Sequence, residues 1–132
     1  MSEVYHAHII IRCEAKTFFN KKEGGEFADW IVTLVERLKM NLMIGPIINY
    51  VSREGLRGWT GIAAIETSSI TVHVWDEPTP NVIQMDVYTC GCLDVDTVLE
   101  SLKQFDPVTI EYLLLDREKN IVLKEYKCHT TS

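Results

Sequence analysis

Cysteine is limited to four residues in this chain, and none of them is spaced for a metal. Cys13, Cys90, Cys92 and Cys128 lack the paired spacing of zinc-binding modules. Four cysteines are also too few to staple a small secreted scaffold, so they read as free thiols in a reducing cytoplasm. Long apolar runs are missing too. No stretch approaches the roughly 20 residues that a membrane-spanning helix needs. The opening Met1-Ser2-Glu3-Val4-Tyr5-His6 has neither the basic start nor the apolar middle of a secretory leader. Positive charge is outweighed, with 13 Lys and Arg against 19 Asp and Glu for a net charge of −6. That balance argues against a nucleic-acid partner and is compatible with a cationic small molecule. There is no internal repeat, low-complexity segment or linker.

What remains is an ordinary globular composition, 46% apolar and 24% charged. At 132 residues, the chain is long enough to bury roughly two-thirds of its unfolded surface as one domain spanning 1–132. Val4 to Cys13, with Ile9-Ile10-Ile11, reads as a buried strand. His6 and His8 share one of its faces, and with no third ligand at a telling spacing they read as structural rather than as a metal site. Residues 14–24 read as a polar loop. From Glu26 to Met40, Phe27, Trp30, Ile31, Leu34 and Leu38 recur at helical spacing, which predicts an amphipathic helix laid on a sheet with Trp30 in the core. Asn41 to Val51 is a strand interrupted at Gly45-Pro46. Ser52 to Gly58 is a polar loop, readable either as part of a substrate site or as a solvated connection.

Trp59 to Glu66 is a small-residue strand in which Gly61, Ala63 and Ala64 allow close packing. Asp94 to Phe105 is a second helix with Asp94 as its N-cap. Val108 to Leu115 and Ile121 to Tyr126 are two last strands. The expected fold is α+β: a two-layer sandwich of a mainly antiparallel sheet with two helices on one face.

The most informative stretch lies between the helices. In Ser68-Ser69-Ile70-Thr71-Val72-His73-Val74-Trp75, the residues Ile70, Val72 and Val74 point one way, while Ser69, Thr71, His73 and Trp75 point the other. Val82 to Cys90 is a second strand. Glu77-Pro78-Thr79-Pro80-Asn81 turns the chain between them, since two prolines cannot serve a central ladder. A hairpin centred on Thr79 would set Ser68 directly opposite Cys90, bringing a hydroxyl and a thiol together at its open end.

Ser-x-x-Thr-x-His-x-Trp-x-Glu, followed by Asp86-Val87-Tyr88-Thr89-Cys90-Gly91, resembles the prokaryotic-type S-adenosylmethionine decarboxylase proenzymes. The motif pair covers residues 60–91 closely, and the flanking order of strands and helices extends the likeness over nearly the whole chain. The resemblance implies self-cleavage at Thr67–Ser68, which converts Ser68 into a covalent pyruvoyl cofactor. It implies a processing base at His73, a processing hydroxyl at Thr60 and a proton donor at Cys90. It also implies substrate contacts from Trp75 and Glu77, with Glu77 an acceptor for ribose hydroxyls. A pyruvoyl ketone takes up a substrate amine and acts as an electron sink for decarboxylation.

Five extended residues span about 16 Å, so His73 cannot reach its own Ser68 along one strand. Thr60 lies farther still along the sequence. A symmetric homodimer, each site combining Ser68 and Cys90 of one chain with Thr60 and His73 of the other, resolves this.

Two departures matter. The family carries glutamate before the cleaving serine, where this chain has Thr67, with Glu66 one place earlier and on the other face. The family also has an aromatic residue that stacks on adenine. Here that task falls to Tyr50 or Trp59. Three readings follow. The first is a decarboxylase of S-adenosylmethionine serving spermidine synthesis. The second is a pyruvoyl decarboxylase of another amino acid, such as arginine or ornithine. The third is an uncleaved homologue with a structural or regulatory role.

Overall fold

The computed structural model describes residues 4–131. Met1 to Glu3, half of the Met1 to His6 stretch on which the expected absence of a leader rests, lie outside them. Seven strands form one sheet: β1 (Ala7–Ala15), β2 (Leu42–Val51), β3 (Gly58–Ile65), β4 (Ser68–Trp75), β5 (Asn81–Thr89), β6 (Pro107–Asp116) and β7 (Val122–Thr130). Their spatial order is β2-β3-β4-β5-β1-β6-β7, and every neighbouring pair is antiparallel. Helices α1 (Gly24–Arg37) and α2 (Val95–Glu100) accompany this sheet in the expected α+β sandwich.

Period-two patterning selects the buried face of each central strand. In β1 the residues Ala7, Ile9, Ile11, Cys13 and Ala15 are buried, whereas Ile10 between them is 41% exposed. The run of three isoleucines is therefore covered on one face, not both. β3, β4 and β5 contribute Ala63, Ile65, Ile70, Val72, Val74, Ile83, Met85 and Val87 to the same core. From α1 come Phe27, Trp30, Ile31, Leu34 and Val35, so Val35 joins the expected stripe while Leu38 is only partly buried. Burial of the Cys13 thiol pushes its pKa up to about 12.

The helix can approach closely because β3 has glycine at position 61, where a Cβ would lie 2.7 Å from Phe27 Cζ and 2.8 Å from Ile31 Cδ1. Ala63 is buried beside it, but Ala64 is exposed on the other face, outside the close packing. Trp30 is in the core as expected, and its Nε1 donates to the carbonyl of Ser101 at 2.9 Å, tying α1 to the segment after α2. The segment 14–24 departs from its polar reading. Phe18 lies 4.5 Å, centroid to centroid, from Phe105 and 5.4 Å from Phe27. The polar residues around Phe18 and Phe19 masked a core contribution made by a loop without periodicity.

The second helix is shorter than the expected 94–105. Asp94 caps it, accepting from the Thr97 amide at 3.2 Å. After Glu100 the chain tightens into a 3₁₀ turn over Lys103–Phe105 that ends at Asp106 with φ +56°. The Ser101 hydroxyl donates back to the Val98 carbonyl, a side-chain bond that competes with regular helix.

The β4–β5 hairpin is one residue out from its expected register: Ser68 pairs with Thr89, Ser69 with Tyr88 and Trp75 with Val82. The reversal is centred between Pro78 and Thr79. Its inner contacts come from Asn81, whose Nδ2 donates to the carbonyls of Asp76 and Pro78. Cys90 thus falls one residue beyond the ladder and is not opposite Ser68.

Candidate active site

β3 and β4 are joined by only two residues, Glu66 and Thr67, because Ile65 pairs directly with Ser68. Such a short reversal forces a left-handed backbone, and Thr67 adopts it with φ +56°. A β-branched residue rarely takes that conformation, so the Thr67–Ser68 bond leaves a strained turn and enters a regular strand. The Thr67 hydroxyl donates to the Glu66 carbonyl at 2.6 Å and lies 2.8 Å from Cys90 Sγ. A hydroxyl and the Cys90 thiol do meet at this end of the hairpin, but the hydroxyl belongs to Thr67 and not to Ser68. Cys90 is held by its backbone, its carbonyl accepting from the His6 amide at 3.3 Å. Glu66 is exposed, and its amide donates to the Asn41 carbonyl at 3.0 Å.

The remaining expected residues gather toward the other end of the same strands. Thr60 on β3 is paired with His73 on β4, and Thr60 Oγ1 lies 3.1 Å from His73 Nδ1. The His73 ring lies 6.4 Å from that of Trp75. Beyond the strand end, Glu77 gathers the 52–58 loop. Its Oε1 accepts from the amides of Gly55 at 2.7 Å and Arg57 at 3.2 Å, and its Oε2 lies 3.4 Å from Arg57 Nη2. Tyr50 donates its phenol to Asp76 Oδ2 at 2.6 Å. That bond, ahead of burial, pushes the Tyr50 pKa up to about 12.

The chain therefore carries two groups: Glu66, Thr67, Ser68 and Cys90 at one end, and Thr60, His73, Trp75, Glu77 and Tyr50 toward the other. Five rungs of the β3–β4 ladder separate Ser68 from His73, about 16 Å at strand rise. One of the two expected stacking aromatics is out of reach. Trp59 is only 6% exposed and donates its Nε1 to the Asn20 carbonyl at 3.0 Å. Strand alternation turns it into the core beside Phe27.

His6 and His8 are engaged with neighbours, though His6 lies just before β1 with φ +51° and not within it. His6 Nδ1 is 2.9 Å from the Tyr88 hydroxyl, and His8 Nε2 is 3.1 Å from Asp86 Oδ1. Sequence reading missed Arg117, whose guanidinium sits 4.6 Å from the centroid of the Tyr88 ring. It arrives from a distant loop with no local signal. A separate groove of about 530 Å³ is lined by Cys92, Asp94, Asp96, Tyr112 and Glu125 and contains none of the expected site residues. Among the described residues, no group of three or more His, Cys, Asp or Glu is placed to hold a metal, and no helix is long and apolar enough to cross a membrane.

Residues 11–118 match the sequence model of the S-adenosylmethionine decarboxylase family. The chain belongs to that family. Among solved structures, the adenosylmethionine decarboxylase from Aquifex aeolicus VF5 superposes with a TM-score of 0.64 at 19% identity, covering 96% of this chain and 99% of that one. This likeness shows that this decarboxylase-family member shares the Aquifex enzyme's fold. A phage SAM lyase in complex with S-methyl-5'-thioadenosine aligns with a TM-score of 0.41 at 9% identity, covering 99% of this chain and 95% of the lyase. No curated protein matches the sequence significantly.

Proposed function

We propose that this decarboxylase-family chain is a proenzyme that cleaves its own Thr67–Ser68 bond and then decarboxylates S-adenosylmethionine, supplying the aminopropyl donor for spermidine. The observation that carries the reading is the setting of that one bond. It follows a left-handed threonine in a two-residue turn, it opens a strand with serine, and a thiol stands at its side. The Ser68 hydroxyl attacks the Thr67 carbonyl and takes over the acyl group, and relief of the turn favours the shift. A base then removes the α-proton of residue 68, and the Thr67 carboxylate leaves. His73 is suited to that proton transfer, with Thr60 orienting its ring through Nδ1.

The residues fit a pyruvoyl group at position 68, which as an electron sink would stabilise the negative charge left by departing CO₂. Around it, Cys90 returns a proton to the substrate carbon. Trp75 and Glu77 line the substrate side, with Glu66 at the turn and Tyr50 as the remaining aromatic for the nucleoside. Because His73 sits about 16 Å from Ser68 of its own chain, the working unit is a homodimer that pairs the two groups across chains. Residues 1–132 act as one domain that works in the cytoplasm, where its four thiols stay reduced.

Burial of Trp59 leaves one aromatic fewer for adenine and favours, as a second reading, pyruvoyl decarboxylation of a smaller amino acid such as arginine or ornithine. Denaturing mass spectrometry of fresh protein tests the cleavage step. Fragments 1–67 and 68–132, the latter blocked at its N-terminus, are expected, and Ser68→Ala should stay intact. A wild-type chain still whole after long incubation would overturn the proposal. Product analysis with each amino acid then separates the two substrates.

A further inference from the structure

We propose that Thr67 protects the chain from its own cysteine during self-processing, by holding the Cys90 thiol as a hydrogen-bond donor up to the elimination that makes residue 68 electrophilic. The inference rests on the cleavage reading above and gives Thr67 a positioning role of its own. A threonine hydroxyl carries one proton. Here that proton goes to the Glu66 carbonyl at 2.6 Å, since a carbonyl can only accept. Toward Cys90 Sγ, 2.8 Å away, the same oxygen therefore accepts and the thiol donates. A thiolate there could be bonded only if the Thr67 proton left the Glu66 carbonyl, so deprotonating the sulfur costs one of the two bonds, and the thiolate is the nucleophilic form.

The danger lies in the alkene that processing creates. Acyl transfer leaves residue 68 as an ester with a free amine. Loss of its α-proton and of the Thr67 carboxylate makes it a didehydroalanine. Water normally replaces the amine nitrogen, which leaves as ammonia. In the competing reaction the Cys90 sulfur gives an electron pair to the β-carbon of residue 68. The carbon–carbon π bond breaks and the α-carbon takes up the proton. A thioether forms and nothing leaves, so the fragment keeps an amine in place of the ketone. The thiol cannot simply be kept at a distance, because Thr89 is paired with Ser68 and the His6 amide holds the Cys90 carbonyl. Control must come from its proton.

Thr67→Val keeps the β-branched shape and removes the hydroxyl, while Thr67→Ser keeps the hydroxyl. After processing, the variants are denatured, alkylated with iodoacetamide and mapped by mass. Wild type and Thr67→Ser should give a 68–132 fragment with a blocked N-terminus and Cys90, Cys92 and Cys128 all alkylated. Thr67→Val should give, in part, a fragment with a free amine and Cys90 unalkylated, lighter before alkylation by the difference between water and ammonia. A Thr67→Val fragment indistinguishable from wild type overturns the proposal.

The hold on the thiol is measured separately without cleavage, in a Ser68→Ala background. Adding Thr67→Val should speed iodoacetamide labelling of folded Cys90 about two- to tenfold, the worth of one neutral hydrogen bond. Equal rates overturn the proposal even if Thr67→Val fails to cleave. A wild-type chain that never cleaves removes the cleavage reading and the protective role together.

Discussion

Thr60 and His73 face each other across the β3–β4 ladder, with Thr60 Oγ1 3.1 Å from His73 Nδ1. Thirteen residues of sequence separate them, yet the short turn at Glu66-Thr67 makes them direct neighbours on one face. The bond sets the imidazole ring by one of its nitrogens and leaves Nε2 for a second partner. Removing the hydroxyl as Thr60→Val should slow self-cleavage about fivefold, the worth of one hydrogen bond near 1 kcal/mol. Thr60→Ser should restore it. Single-turnover cleavage followed on denaturing gels checks both.

Glu77 fastens the 52–58 loop through two backbone amides and Arg57. Glu77→Ala should release that loop while costing less than about 1 kcal/mol of global stability, since the contacts are solvent-exposed. Limited trypsin digestion should then cut faster at Arg53 and Arg57, with the thermal midpoint little changed.

Close packing of α1 on β3 gives a sharper stability prediction. Gly61→Ala would place a methyl within 2.8 Å of both Phe27 and Ile31, side chains already buried. Overpacking of this kind costs about 1–3 kcal/mol. At Gly58, φ is +147° and a Cβ would fall 1.7 Å from the Val74 carbonyl oxygen. Gly58→Ala should therefore be the worse of the two, because backbone and not a side-chain tip stands in the way. Urea unfolding of both variants checks the order.

The phenol of Tyr50 titrates late because its bond to Asp76 holds the proton, raising its pKa from 10.0 to about 12. A folded pKa above the unfolded one stabilises the folded state fully below the unfolded value. That contribution is then lost as pH rises through the folded value. Stability should fall between about pH 10 and 12, in the same direction as the contribution from Tyr112, whose pKa is raised by burial and by its bond to Glu125. Tyr50→Phe should flatten part of this slope. Urea midpoints measured across that range, with phenolate absorbance as a monitor, test it.

Much of the architecture was legible along the chain because it rests on local periodicity. The alternation of Ile70, Val72 and Val74, the helical stripe from Phe27 to Leu34 and the Asp94 cap all appear as read. Phe18, Phe19 and Arg117 were not legible, since each owes its place to a partner far away in sequence. The register of the β4–β5 hairpin was missed by one residue because the turn's centre depends on how Asn81 bonds back to Asp76 and Pro78. Composition does not encode that geometry.

By itself, then, the sequence determined the order of elements, the buried face of most of them and the identity of the residues with reactive side chains. Those properties follow from side-chain chemistry and from periods of two and 3.6 residues. Only the tertiary structure decided which reactive groups meet. It placed Cys90 against Thr67, turned Trp59 into the core and set Thr60 on His73. Each of these depends on strand register, and register is settled by the turns and by packing across the whole sheet.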